Sequence, residues 1–379
     1  MPARTVDVVA AGPPSDDLYD PAAPAWALAA GLTARGHSVQ VIYPGAPNGA
    51  APPPGVTATA FPGVTEHVGT YRGDAELAHL AGRHLRRGAD LIVRDPAGFG
   101  PIGHHARSTR IVAFVRALSA ASLAPEPTPA SGTGFRSKLS WWGERRDAHH
   151  LEKEALREAS VVYCSTSSMR ESLHRAYGLL PGRLHIAPAP VAEAEEPVTR
   201  PAARRRLGVP DDVTVVAVLP IGGVATPATL APALEAFARV RKIYPGSRLA
   251  VVGGPPTPPP GTIPVPDSHR STVTSVCTAA DVGLVIGGGA EAEGAFVLGL
   301  RAGLPFVAPP ALDLGEAIDG GVRRADTGDP AELASALVGL IADTDERRAL
   351  SESGRKLAER FRPVHVAEEL ERSTGLAVA

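Results

Sequence analysis

Short Val-rich apolar runs alternate with helical stretches twice along this chain, and that repeated alternation leaves few folds open. Val6 to Ala11 is such a run, closed by Gly12-Pro13-Pro14. Continuously apolar runs of this length suit parallel strands covered on both faces, because each face needs an apolar partner. Trp26 to Arg35 follows with helical spacing, Gly36 offers the left-handed residue that ends a helix, and Val39 to Tyr43 is the next strand. This is one βαβ unit. Its first loop opens at a strand's carboxyl end, where open α/β sheets bind ligands.

The series continues with a helix at Leu77 to Arg87 and strands at Leu91 to Val93 and Ile111 to Val115. Leu123 to Thr133, rich in Pro, Ser and Gly, reads as a mobile loop. Leu151 to Ala159 is helical, Val161 to Cys164 a strand, Met169 to Tyr177 a helix and Leu184 to Ile186 a short strand. From Ala187 to Arg206 the texture turns to prolines, an acidic cluster and a basic one, as in an interdomain linker. A second series then places strands at Val213 to Leu219, Leu249 to Val252, Val282 to Ile286 and Pro305 to Ala308. Helices at Leu230 to Tyr244 and Ala295 to Ala302 alternate with them, and charged helices follow from Pro330.

Two such series in 379 residues predict an α/β protein of two Rossmann-like doubly wound domains facing a cleft. The expected division is 1–187 with a returning C-terminal helix at 361–379, a linker at 188–206, and a second domain at 207–360.

Composition narrows the function. A net charge of −2 gives no general attraction to nucleic acid or anionic membranes, so a small or electrically mixed partner is expected. With 4% aromatic residues, the core must be built from Ala, Val and Leu. Cys164 and Cys277 fall in apolar runs that read as buried strands, too few for a disulfide framework and without metal-ligand spacing. The opening MPARTVDVVAAG does not pattern as a signal peptide, and no run approaches the ~18 apolar residues of a bilayer span. A cytoplasmic protein with no stable membrane insertion is the expectation.

Several segments together resemble the retaining glycosyltransferase family 4, whose fold is the GT-B architecture. Ala34-Arg35-Gly36-His37-Ser38-Val39 is similar to the end of that family's first helix, and Leu151 to Ala159 to its helix before the hinge. His174 to Gly178 with Pro181 to His185 resembles its approach to the hinge. Ala236 to Val240, Tyr244-Pro245-Gly246 and Leu249 to Gly254 look like the first βαβ unit of its nucleotide-binding domain, and Gly328 to Leu333 like the turn opening a late helix. The resemblance implies a nucleotide-sugar donor as co-substrate, with no further cofactor and no metal.

In such a reaction negative charge builds on the departing diphosphate, so preorganised cations or N–H groups lower the barrier. The family usually supplies an Arg and a Lys after the first strand of its second domain. Here Gly223 and Ala228 occupy those positions. The family's pair of glutamates, eight residues apart, is also incomplete. Glu291 and Glu293 are candidates for the first, while the second position falls on Leu298, Gly299 or Arg301 according to register. Where the family's first-domain His ends a strand facing the donor sugar, Arg116 follows Val115. The resemblance therefore leaves Glu291, Glu293 and Arg116 as candidate catalytic residues.

A donor cradle is still formed by Gly222 and Gly223, by Gly287-Gly288-Gly289, and by Gly294-Ala295-Phe296 at a helix start. Unpaired N–H groups and the helix dipole favour a phosphate there, although a plain strand-to-helix connection has the same pattern. Asp16 and Asp17 in the first loop, and Trp141 beside Trp142, are acceptor-side candidates; solvated acids and domain packing are the alternatives. Adjacent histidines at 104–105 and 149–150 point apart on regular elements, which disfavours a shared metal. Arg204-Arg205-Arg206 reads as a solvated helix start, and Arg323-Arg324, just past the last strand, as a substitute phosphate cation.

Two functions stay open. One is a transferase acting on a small-molecule or lipid-like acceptor, and the Ala-, Arg-, Gly- and Pro-rich composition suits actinobacterial specialised metabolism, including antibiotic biosynthesis. The other is a catalytically silent homologue that acts as a binding or partner subunit. A homodimer or a partner glycosyltransferase fits either. No segment resembles the Gly-rich, Glu-paired signature of the sugar-nucleotide epimerases that share this architecture.

Overall fold

The structure, a computed structural model, describes residues 3–46, 48–62, 71–94, 101–102, 109–115, 135–192, 198–221, 226–254, 261–287, 293–310 and 319–376. The chain divides into two compact units. One comprises Met1–Pro14, Pro24–Pro190 and Pro363–Ala379; the other comprises Ser15–Ala23 and Val191–Arg362.

Among the described residues the first unit holds seven parallel strands: β1 (Thr5–Val9), β2 (Ser38–Pro44), β3 (Thr57–Phe61), β4 (Leu91–Arg94), β5 (Arg110–Val115), β6 (Val161–Cys164) and β7 (Leu184–Ile186). Their order is β3-β2-β1-β4-β5-β6-β7, so the winding reverses between β1 and β4. Helices α1 (Ala23–Ala34), α2 (Tyr71–His84), α3 (Phe135–Glu158) and α4 (Ser167–Tyr177) lie in their connections. One core includes Val9, Ile92, Val115, Leu156 and Leu173, joining central strands to helix faces.

The second unit repeats the plan with β8 (Val215–Ile221), β9 (Arg248–Val252), β10 (Thr262–Val265), β11 (Val282–Gly287), β12 (Phe306–Ala308) and β13 (Val322–Arg324). The order β10-β9-β8-β11-β12-β13 again reverses at its first strand, between β8 and β11. Its helices are α5 (Arg200–Leu207), α6 (Pro227–Ile243), α7 (Arg270–Ala279), α8 (Glu293–Ala302), α9 (Pro330–Ala342) and α10 (Thr344–Ala358). The α/β, two-domain Rossmann-like architecture expected from the alternation is present.

Several local expectations change. Cys277 lies on α7, not on a strand, and its thiol is pushed up to about 12 by burial. The segment read as a linker contains α5, which starts at Arg200-Pro201 and ends at Gly208 in the left-handed conformation. Arg204 is buried rather than solvated. Its guanidinium donates to the carbonyls of Ala279, Pro210, Asp211 and Val213 and to the Asp281 carboxylate at 2.9 Å. Arg323 and Arg324 belong to β13 itself, where Arg323 meets Glu346 at 2.9 Å and Arg324 donates to the Pro309 carbonyl at 3.2 Å.

The last helix, α11 (Pro363–Thr374), completes the first unit. It lies so close to α1 that a Cβ on Gly31 would overlap the Pro363 carbonyl. Arg35 grips the buried Glu371 through both carboxylate oxygens, at 2.6 and 2.7 Å, and His37 Nε2 lies 2.8 Å from the same group. The Arg35 hydrogen bonds, helped by His37, hold the Glu371 carboxyl below its ordinary value against the opposing effect of burial. Tyr163, whose hydroxyl pairs with Ser373, has its phenol pushed up to about 12 by burial.

Two outcomes follow for this clasp. Gly31→Ala should destabilise the protein by ~1–3 kcal/mol in urea unfolding, because the backbone of α11 has no room to yield. Glu371 lies lower in the folded state, so it adds stability above the unfolded carboxyl value of about 4.3, which is lost as pH falls through the folded value. The stability gap between wild type and Glu371→Gln should therefore be widest near neutrality and shrink in acid. A gap that stays constant down to the acid limb would contradict the pairing.

Candidate functional site

In the second unit β8 and β11 pair in register from Val216–Val282 to Ile221–Gly287. Their carboxyl ends therefore open side by side at the point where the winding reverses, the ligand-binding position of open parallel sheets. Gly287 is the last residue of β11, and the residues that follow Ile221 and Gly287 lead to α6 and α8. The sequence-predicted Gly222, Gly223, Gly288, Gly289 and Glu291 lie outside the described residues, but both of their loops start from this shared edge.

Glu293 begins α8, and Gly294, Ala295 and Phe296 form its first turn; the Glu293 side chain is outside the described part. Ala295 and Phe296 are buried, with the Phe296 ring 4.6 Å from that of Phe306. Their side chains serve the core, so only their backbone N–H groups can face a ligand. The three registers for the missing second glutamate are all structural. Leu298 is buried, a Cβ on Gly299 would overlap the Phe306 ring, and Arg301 donates to the Val191 and Ala192 carbonyls at 2.9 and 3.1 Å. Ala228 is exposed in the first turn of α6 and brings no charge to the edge.

Ser15–Ala23, which leaves the first unit's chain path to join the second, forms a strap on this edge. Asp17 Oδ1 accepts from the Tyr19 N–H at 2.9 Å, a local turn, and from the Ser268 hydroxyl at 2.6 Å. Tyr19 donates its hydroxyl to the Pro220 carbonyl at 2.9 Å, near the end of β8, and burial raises its phenol well above the usual value. Asp16 pairs with Arg270, the first residue of α7, at 3.3 Å. A Cβ on Gly294 would sit 3.4 Å from the Leu18 carbonyl oxygen. Asp16 and Asp17 thus have partners within the second unit. Tyr19, Ser268 and Arg270 were not singled out from sequence; an Asp two residues before Tyr19 signals the turn, but nothing local signals contacts some 200 residues away.

On the first unit's carboxyl edge, β4 ends at the buried Arg94, which faces Glu158 at 3.8 Å. β5 ends at Val115, and Arg116 lies outside the described residues. Trp141 is on α3 with its side chain outside the described part, and His104-His105 also fall outside. His149 stacks on Tyr177 at 4.6 Å while His150 faces Glu154 at 3.3 Å, so the adjacent pair diverges. Burial, then Lys153 and His150, lowers the His149 value. Among the described residues no helix is long and apolar enough to cross a membrane.

Residues 25–195 match the model of Glycosyltransferase Family 4. No curated protein matches the sequence. Among solved structures, the glycosyltransferase WaaG, involved in lipopolysaccharide biosynthesis, is similar at TM-score 0.68 with 17% identity over 99% of this chain and 100% of that one. The α,α-trehalose 6-phosphate synthase of Burkholderia multivorans is similar at 0.66 with 13% identity, over 99% of each chain. Anabaena HepE, solved in complex with UDP and glucose, is similar at 0.63 with 14% identity, over 99% of this chain and 100% of that one. Residues 25–195 thus resemble that family, and the chain as a whole shares the fold of these structures, the GT-B architecture.

Proposed function

We propose that the protein moves a sugar from a nucleotide-sugar donor to a small-molecule or lipid-like acceptor, with retention of anomeric configuration and without a metal. The observation that carries this reading is the pairing of Ile221 with Gly287, which sets the carboxyl ends of β8 and β11 side by side, with α8 the helix that follows β11. Backbone N–H groups at Glu293 to Phe296 and the dipole of α8 would face the donor phosphates. Glu291 or Glu293 would hold sugar hydroxyls, and Arg116 would replace the usual first-domain His. Retention fits a path in which the leaving diphosphate accepts the proton of the incoming nucleophile on the same face. A cytoplasmic setting in actinobacterial specialised metabolism is part of the same reading, on composition. HepE was solved with UDP and glucose, so UDP-glucose is the first donor to try.

A second reading draws on the structural roles of Leu298, Gly299 and Arg301 and the uncharged, exposed Ala228. A site short of a glutamate and two cations suits a silent homologue that binds nucleotide or a partner glycosyltransferase. Losing one such charged donor costs about 3 kcal/mol of transition-state stabilisation.

A thermal-shift panel of nucleoside diphosphates tests the donor site first: a ligand at a hundred times its dissociation constant should add about 2.7 kcal/mol. Gly294→Pro should abolish that shift, since the first helical turn accepts proline while one phosphate-facing N–H is lost. Unchanged affinity in the folded variant would place the phosphates elsewhere. Either Glu291→Gln or Glu293→Gln should then lower turnover by ~10 to 150-fold at nearly constant nucleotide affinity. Nucleotide binding without transfer to any acceptor would favour the silent reading.

A further inference from the structure

We propose that Arg301 is the brace of a pivot between the two units, gripping the chain where it crosses from one to the other. The position that one register gives to the family's second glutamate then controls how far the units swing.

The chain crosses at Pro190–Val191 and returns at Arg362–Pro363. On the way out, the Ala187 N–H donates to the Cys164 carbonyl at 3.0 Å within the first unit. The Val191 N–H donates to the Phe361 carbonyl at 2.9 Å within the second. Between these fixed points lie Pro188, Ala189 and Pro190. Each proline locks its own φ at about −65° and restricts the residue before it. On the way back, the Arg362 N–H donates to the Glu359 carbonyl at 3.1 Å, and its guanidinium meets the Glu359 carboxylate at 3.1 Å. Pro363 is fixed in the first unit, its carbonyl against Gly31. Arg362 has φ −65° and ψ 136°, the extended form that a following proline favours. With the φ of Pro363 locked, the ψ of Arg362 is the main soft angle of the return crossing.

Both crossings meet at the Val191–Phe361 hydrogen bond. Val191 and Phe361 are buried in one core cluster with Leu298 and Leu300 of α8. Arg301 follows in the last turn of that helix and donates to the Val191 and Ala192 carbonyls at 2.9 and 3.1 Å. A rigid guanidinium fork suits two successive carbonyls better than the single ammonium of a lysine does. Both backbone groups of Val191 are therefore committed, one to Phe361 and one to Arg301. Rotation is left to Ala189 and to the ψ angles of Pro188 and Pro190, on the first-unit side. The Ser15–Ala23 strap makes the other two crossings, at Pro14–Ser15 and Ala23–Pro24, and is tied by Tyr19 to the Pro220 carbonyl. The strap limits the reach of the swing, and the braced pair fixes its centre.

Pulsed electron paramagnetic resonance on the full chain tests the brace, with spin labels on Ser172→Cys in the first unit and Lys242→Cys in the second, both exposed positions. Cys164 and Cys277 are buried and stay unlabelled. Arg301→Met keeps much of the apolar stem and removes the donors. It should broaden the distribution of label-to-label distances, with Arg301→Lys in between because an ammonium can hold one carbonyl. Amide exchange in 187–192 should quicken roughly tenfold or more, while the β8–β11 ladder stays protected and reports a folded variant. Tyr19→Phe, which cuts the strap's tie to Pro220, should widen the Arg301→Met distribution further. A purely structural Arg301 would quicken the exchange and leave the distances alone. A distribution of wild-type width in Arg301→Met, with Tyr19 intact or replaced, therefore overturns the brace. Should Arg301→Met fail to fold, the width in Arg301→Lys decides in the same way.

Discussion

The pairing of β8 with β11 over six residues, ending at Ile221 and Gly287, sets the carboxyl edge on which the rest of the second unit is arranged. Parallel strands put every carboxyl end on one edge, and the reversal of strand order at β8 parts the flanking connections there. Helices that follow such strands begin at the same edge, so their unpaired N–H groups gather around the gap.

Packing in an aromatic-poor core explains why the family's second glutamate has no place. The Phe306 ring lies between Gly283 on β11 and Gly299 on α8, and a Cβ on either would overlap it. Phe296 meets the same ring at 4.6 Å. A helix drawn this tightly onto the sheet has small residues facing inward and cannot turn to present a carboxylate from position 298 or 299. Arg301, one turn on, is used to hold the chain at Val191 and Ala192. The absence of a glutamate at these positions is therefore a packing solution.

The parts of the fold legible in sequence are those with a strong local cause. Central strands such as Val161–Cys164 are continuously apolar because both faces are covered, and they stand where the pattern puts them. The three strands not anticipated, Thr57–Phe61, Thr262–Val265 and Val322–Arg324, are all edge strands. Edges are short and half polar, and an edge tolerates Pro264, so their pattern resembles a loop. Pro220 reads as the end of β8, yet the strand continues to Ile221 on its β11 side after the β9 ladder ends at Val218. The start of α8 was legible because helix starts have local signatures. The strap was not: Asp16 and Asp17 look like solvated loop acids until Ser268 and Arg270 are brought to them.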